Sequence, residues 1–382
     1  MAAMALCSLV SAVALPACDG FITEDLDPCA PPPKTITTVD FVYDYNMERV
    51  DLLPEHVGSI YLYVFDEAGI YRYRRTAHKA LMTDGIDFSM RFDESEIRPG
   101  HTYQFVAVAQ GNHLGYDASL ETPGFTLQTD MIPGLSTIED YVLKLDRDDD
   151  GTFDFGVVNF KDAYGNNTEM IDTVWTTKPD EVQIARIPAL EYVPDVTPEP
   201  DRFVEVTIPL MRITNAITVN LKSSYFNNAT SVDSYNILIN FPHGNGTIDF
   251  TGRTFPAQEL YYRTLRKTLV NYNAQNLPRR RPARVGENDL YGIRAEFGVS
   301  RLQIGDESSL QVRDAQTNDL IFEIPNFSDY LADAFDGDQE FLDREYDFQV
   351  DVQLTPDGSD WLWFQAYIEV LGWSVRINNI KF

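Results

Sequence analysis

Stretch after stretch of this chain alternates apolar with polar residues at a period of two, and Gly and Pro turns interrupt the alternation. Val39, Phe41, Tyr43 and Tyr45 alternate with Asp40 and Asp44, which puts the apolar side chains on one face of an extended chain. Ile60-Tyr61-Leu62-Tyr63-Val64-Phe65 is apolar on both faces, as in a strand at the centre of a sandwich. Asp66-Glu67-Ala68-Gly69 makes a turn, and residues 70–74 return with Tyr71 and Tyr73 alternating, a β-hairpin. Arg98-Pro99-Gly100 turns into a strand over 101–109 in which Tyr103, Phe105 and Ala107 share a face. Strands at this spacing predict an all-β chain of sandwiches rather than a βαβ fold.

At 382 residues the chain exceeds what one core usually serves, so two domains are expected. Residues 141–145, 153–158 and 174–187 read as further strands. Then Pro188, Pro194, Pro198 and Pro200, with Glu191, Asp195, Glu199 and Asp201, form an acidic proline-rich segment that marks the boundary. The expected units are an N-terminal β-sandwich over 35–200 and a C-terminal one over 201–382. The second opens with alternating Val204, Val206 and Ile208, followed by Ile217, Val219 and Leu221, and by a strand over 235–241 closed by the turn His243-Gly244-Asn245-Gly246. In 260–272, Tyr261, Leu265, Leu269 and Tyr272 recur at helical spacing in a run short and polar enough to be a strand, so both readings stand. Residues 321–324 read as a strand, and Ser328 is placed to cap a short helix reaching Phe335. Long strands over 346–354 and 361–369 follow, joined at Pro356-Asp357-Gly358, and residues 373–377 lead into the C-terminal tail.

The N-terminus has a different character. Leu15-Pro16-Ala17-Cys18 closes an apolar run of small residues, too short to span a bilayer, and is followed by Asp19 and Gly20. It reads as a lipoprotein processing site: a signal peptide over 1–17, cleavage after the small Ala17, and a lipid carried on the Cys18 thiol. No Lys or Arg lies between Met1 and Ala17, so the basic n-region is missing; a start upstream of Met1 and a chance apolar N-terminus are the alternatives. Residues 18–34 would form a tether, stiffened by Pro31-Pro32-Pro33. The three cysteines, Cys7, Cys18 and Cys29, all lie in this tail, which excludes a disulfide framework or a cysteine-ligated zinc site in the body.

The chain has 59 acidic and 30 basic residues, a formal net charge of -29, and such a surface repels a phosphate backbone, so nucleic acid is excluded as a partner. Asp146, Asp148, Asp150 and Gly151 match the first half of a calcium loop, with Asp154 near the water-mediated position. Val157 stands where a bidentate Glu is required, which favours an acidic hairpin. The histidines, His56, His78, His101, His113 and His243, show no metal-ligand spacing. No nucleophile elbow, P-loop or dinucleotide fingerprint occurs, so no catalytic residue, metal or cofactor is expected. Trp361, Trp363, Phe364 and Trp373 would stack sugar rings, or else Trp361 and Trp363, two apart in one strand, would line one sheet face and contribute to a core.

The tail from Ala17-Cys18 through Phe21-Ile22-Thr23-Glu24-Asp25-Leu26-Asp27-Pro28-Cys29 resembles the lipidated opening of the FimB-type fimbrillin-like lipoproteins, anchor and accessory subunits of the type V fimbriae of Bacteroidales. Residues 60–69 and 97–109, Ile208-Pro209-Leu210-Met211-Arg212-Ile213-Thr214-Asn215 and Gly372-Trp373-Ser374-Val375-Arg376-Ile377 are similar to that family's strands. The resemblance implies two tandem transthyretin-like sandwiches, attached to the outer membrane at the cell surface through lipid on Cys18. It also implies fimbrial subunits as partners, bound by strand addition during anchoring or assembly. A glycan-binding surface lipoprotein, and a stalk or tip fimbrillin, are the alternative readings.

Overall fold

The structure is a computed structural model that describes residues 34–82, 85–111, 125–145, 159–161, 167–169, 173–178, 183–186, 201–223, 225–257, 259–272, 290–335, 337–356, 362–370 and 373–377. The first half carries β1 (Thr35–Val42), α1 (Leu53–His56), β2 (Val57–Asp66), β3 (Tyr71–His78), β4 (Met90–Phe92), β5 (Thr102–Gly111), β6 (Phe125–Leu127), β7 (Val142–Leu145), β8 (Asn159–Lys161), β9 (Asn167–Glu169), β10 (Val174–Thr177) and β11 (Gln183–Arg186). The second carries β12 (Arg202–Arg212), β13 (Thr214–Ser223), β14 (Tyr235–Phe241), β15 (Thr247–Asp249), β16 (Leu260–Arg263), β17 (Arg266–Asn271), β18 (Tyr291–Ser300), β19 (Ser309–Asp314) and β20 (Leu320–Pro325). Then come α2 (Phe327–Asp333), α3 (Gln339–Arg344), β21 (Asp347–Pro356), β22 (Leu362–Val370) and β23 (Trp373–Ile377). The described residues are thus mostly β-strand, as the alternation predicts.

Strand β2 is apolar on both faces because both are covered. It lies in a sheet of order β3-β2-β5-β10-β12-β1-β4, with β11 also paired to β5. Ile60, Leu62 and Val64 enter a core with Val39, Met90, Phe105 and Trp175, while Tyr61, Tyr63 and Phe65 enter another with Val106, Phe125, Tyr141 and Leu143. Burying each such side chain contributes on the order of 1.5–3 kcal/mol, which fixes the register, since a one-residue slip would exchange the faces.

The sheet turns over at β12. Its first part runs parallel to β1, from Thr35 opposite Arg202 to Val42 opposite Pro209; its last residues run antiparallel to β10, Leu210 opposite Thr177 and Arg212 opposite Trp175. Strands β1 and β4 thereby fold across the face that carries Ile60, Leu62 and Val64, and the sheet becomes its own second layer. The unit expected over 201–382 would begin with β12. Val206, Ile208 and Leu210 pack into the first core, so β12 completes the first sheet and the change of sheet comes at β13. The acidic proline-rich segment lies outside the described residues, and the strand beyond it goes where its apolar face finds cover.

The second body pairs a sheet of order β17-β18-β13-β21-β22-β23 with one of order β16-β14-β19-β20. Ile217, Val219, Phe297 and Val350 from the first share a core with Ile239, Leu310, Val312 and Ile324 from the second and with Leu331 and Leu342 of α2 and α3. The stretch 260–272 resolves into two strands in different sheets, β16 on β14 and β17 on β18, which explains why it obeys neither period throughout. Ser328 does not cap α2. The N-cap is Asn326, in a left-handed conformation with φ 48°, and Ser328 lies buried inside the helix with its hydroxyl 3.0 Å from that of Ser308. Helix α3 went unexpected, although Asp338 caps it by accepting from the Phe341 N–H at 3.1 Å.

Backbone pairing joins the two bodies. Strand β15 of the second half adds to β7 of the first, Thr247 opposite Lys144 and Asp249 opposite Val142, in a small sheet of order β15-β7-β6. The Leu145 N–H donates to the Gly246 carbonyl at 2.7 Å. A Cβ on Gly246 would stand 2.8 Å from Leu145 Cβ and 3.0 Å from Leu260 Cδ1, so only glycine permits this approach. Beside it, the Arg344 guanidinium and the Lys178 ammonium lie 4.3 and 4.6 Å from the Tyr45 ring centre, and Arg212 lies 4.1 Å from that of Tyr346. Such cation–π contacts contribute about 0.5–2 kcal/mol each, more as they are desolvated. Next to them the buried Glu345 accepts from the Tyr346 and Asp347 N–H groups, both at 2.9 Å through Oε1.

Two outcomes follow from this joint. Gly246→Ala is expected to lower stability by about 1–3 kcal/mol through the overpacking it forces, read as a drop in the thermal midpoint. Burial holds the Glu345 carboxyl above its ordinary range, Arg212 opposing. The folded chain therefore binds this proton more tightly than the unfolded one. The resulting stability is present at pH below the unfolded value and is lost as pH rises through the folded one. Urea unfolding between about pH 4 and about pH 8 should show that loss in the parent and a flatter profile in Glu345→Gln.

Candidate interaction surfaces

In an all-β body the reactive backbone is at strand edges, where N–H and C=O groups lack a ladder partner. The first sheet closes its ends on each other. From β3, Arg75 donates to the Arg91 carbonyl of β4, pairs with Glu96 just beyond it, and lays its guanidinium 4.1 Å from the centre of the Phe92 ring. Tyr73 meets the same ring at 6.1 Å. The rest of β3 carries the exposed Arg72 and Arg74, charges that disfavour edge-to-edge pairing.

The strand that follows the N-terminal tail is not an edge either. β1 lies between β12 and β4, Val39 and Tyr43 are fully buried, and the start of β1 is held by Thr35 N–H donating to Glu94 Oε1 at 2.5 Å and Lys34 N–H to Asp201 Oδ1 at 2.9 Å. A chain pulling on residue 34 therefore pulls on a core strand.

The second body leaves an edge. Its larger sheet has six strands against four in the sheet it faces, and it ends in the C-terminal hairpin of β22 and β23. Strand β22 pairs with β21, Gln349 opposite Glu369 through Pro356 opposite Leu362, and β23 pairs with β22 alone, Val370 opposite Trp373 through Ala366 opposite Ile377. No other described element packs extensively on either strand. Among the described residues, β23 ends the sheet. In the sequence, Leu362, Phe364, Ala366, Ile368 and Val370 alternate with Trp363, Gln365, Tyr367 and Glu369, so one side of β22 is continuously apolar.

Several expected site residues lie outside the described residues: Cys18 with the whole N-terminal tail, the Asp146-Asp148-Asp150 stretch, His113 and Trp361. Trp363, Phe364 and Trp373 lie in the hairpin, of which the strands alone are described. His101 is exposed, His243 stands 3.3 Å from Glu307, and no group of His, Cys, Asp or Glu able to hold a metal occurs among the described residues. No described helix is long and apolar enough to cross a membrane. A cleft of about 500 Å³ beside the β2–β3 turn brings Arg72 and Arg98 together with Asp66, Glu67 and Glu96. Its charges largely answer one another, Arg72 pairing with Asp66. Nothing in the local pattern points to the Arg75 seam, because its partners lie in other elements, at Arg91, Phe92 and Glu96.

The model of the family of fimbrillin-A associated anchor proteins Mfa1 and Mfa2 matches residues 26–379. Among solved structures, the chain is similar to a putative polysaccharide binding protein from Bacteroides thetaiotaomicron, with 24% identity, a TM-score of 0.62, and 90% of this chain and 98% of that one covered. A putative adhesin from the same organism is 21% identical with a TM-score of 0.62, covering 92% and 100%. The fimbrial anchor protein Mfa2 from Porphyromonas gingivalis is 17% identical with a TM-score of 0.55, covering 90% and 99%. At these identities the likenesses speak to the fold. No curated protein matches in a sequence search.

If Arg75 closes the first sheet, Arg75→Ala should lower stability by about 1–2 kcal/mol, from the lost ion pair and cation–π contact. It should also raise the tendency to self-associate, seen in light scattering of the folded protein. A variant as monodisperse and as stable as the parent would show that the seam closes without it.

Proposed function

The chain belongs to the Mfa2 family of fimbrillin-A associated anchor proteins, and on that premise we propose that it holds a fimbrium at the cell surface, fixed to the outer membrane by lipid on Cys18 and bound to a fimbrial subunit by strand addition. The observation that carries the binding mode is the contrast between edges: the first sheet is shut by Arg75, while the larger sheet of the second body ends, among the described residues, at β23, beside a β22 whose sequence alternates apolar with polar residues. An added strand would gain main-chain hydrogen bonds from β23 and side-chain contact with the apolar side of β22, the two sources of affinity and specificity in strand addition. The lipid reading is supported by the position of Cys18 after a small residue and an apolar run, and by a spacer ending where β1 begins. The two bodies would act as tandem transthyretin-like sandwiches, and no step of this role requires a catalytic group, metal or cofactor.

The body has no cysteine, so a Cys29→Ser background with Ser374→Cys on β23 can carry a photoreactive label. On outer membranes it should capture a fimbrial subunit, whereas a label at Arg74→Cys on β3 should not. Deleting residues 371–382 should abolish capture while leaving the fold intact by circular dichroism. Equal capture from both labels, or capture surviving the deletion, would rule out this edge. Separately, Cys18→Ala should release the protein from the outer membrane with its subunit still bound; unchanged retention would rule out the tether.

A further inference from the structure

We infer that a basic cleft on the second body, where β14 emerges from the cover of β16, binds an anionic saccharide. Strand β19 pairs along β14 from Tyr235 to Asn240, but β16 covers it only from Leu238, opposite Arg263, to Phe241, opposite Leu260. At Thr264 the chain leaves this sheet, and the Leu265 N–H already donates to the Glu296 carbonyl of β18 at 2.7 Å. The departure opens a cleft of about 570 Å³ over the uncovered end of β14, within the range of small-molecule sites.

Its charge sets it apart. Arg263, Lys267 and Arg313 line it together with Asn236, Tyr261 and Asn318, and no carboxylate is among the lining residues, in a chain with 59 acidic and 30 basic residues. The cleft beside the β2–β3 turn, by contrast, has its own acids. Arg313 is held in place: Nε donates to Gln311 Oε1 at 2.9 Å and Nη1 to the Asn318 carbonyl at 3.1 Å, leaving Nη2 without a partner among the described residues. Lys267 donates to the carbonyls of Val232 and Tyr235 at 3.1 and 3.0 Å and lies 3.6 Å from Asp233. It closes the backbone flank, and Asp233 answers part of its charge, so the two arginines carry most of the cleft's positive character.

These features select the ligand. An acidic peptide joining by strand addition would need the flank of β14, but only Tyr235 to Ile237 are uncovered and Lys267 already occupies the Tyr235 carbonyl. What fits is a compact anion that also carries hydroxyls. A guanidinium donates charge-assisted hydrogen bonds to a carboxylate or sulfate, two side-chain amides serve hydroxyls, and the half-buried Tyr261, whose hydroxyl bonds Glu259, offers a ring face. Uronate and sulfated sugars share this chemistry.

The test titrates the full chain by calorimetry with trigalacturonate, a sulfated heparin disaccharide, neutral maltotriose and hexaglutamate. At least one acidic sugar should bind, the two arms distinguishing carboxylate from sulfate, and maltotriose and hexaglutamate should not. Arg313→Gln and Arg263→Gln should each weaken binding by at least about tenfold, and Arg98→Gln in the other cleft should leave it unchanged. Arg263 is exposed, so its variant reports on binding with the fold intact. Binding of neither acidic sugar, binding that survives Arg263→Gln, or hexaglutamate binding as tightly would each overturn the inference. None of these outcomes bears on the anchor reading, which rests on other residues.

Discussion

Every backbone donor and acceptor at the rim of a sheet must be paired, shielded or left for a partner, and the way this chain meets that requirement differs between its two halves. In the first, the sheet rolls over at β12 until its end strands meet, and one arginine fills the gap with hydrogen bonds to a carbonyl and a carboxylate and a ring contact. In the second, two opposed sheets leave ends, and the larger ends in the hairpin of β22 and β23. Rolling up requires a strand that serves both layers. β12 does so because its apolar residues Val206, Ile208 and Leu210 all face one core while its two flanks belong to different neighbours.

The halves are not beads on a string. Strand β15 joins β7 by backbone pairing, and the core around Tyr61, Tyr63 and Phe65 is continuous with that around Ile217, Ile239 and Phe348. Tyr45 receives cations from both sides, Lys178 and Arg344, at the same seam. An interface built from a ladder, a shared apolar core and cation–π contacts resists the hinge motion that small polar domain interfaces allow. A load applied to one body is accordingly transmitted to the other.

What was legible in the sequence was local. The two-faced run Ile60-Tyr61-Leu62-Tyr63-Val64-Phe65 and the hairpin at Gly69 follow from side-chain period and turn chemistry, and both appear as read. The place of β12 was not legible, because Val204, Val206 and Ile208 alternate identically whichever sheet they join, and their partner β1 lies far away in the chain. Residues 260–272 gave two periods at once because they belong to two sheets. Ser328 reads as a cap since it precedes a helical run, but the turn is set two residues earlier by the left-handed Asn326, and the hydroxyl bonds that of Ser308 inside. The seam at Arg75 and the cleft around Arg313 escaped for a common reason: each gathers residues from separate strands, and spacing along the chain carries no record of that.

The parallel ladder between β1 and β12 bears on the proposed role. A tether attached before residue 34 would load β1 at its start, while β12 passes at its far end into β13 and the second body. Load entering at one end of the ladder and leaving at the other acts along the strands, so the hydrogen bonds from Thr35 to Val42 resist it together rather than opening one at a time. A tether joined to an outer strand and pulling across it would unzip the pairs in succession, each carrying the full load in turn. Burial of Val39, Phe41 and Tyr43 adds to the resistance, because sliding β1 by one residue would drive them out of the core and bring Ile36, Thr38 and Asp40 in. Forced unfolding is governed by the barrier and not by overall stability. An N-terminal strand laid parallel and central is therefore a stronger point of attachment than its modest length implies.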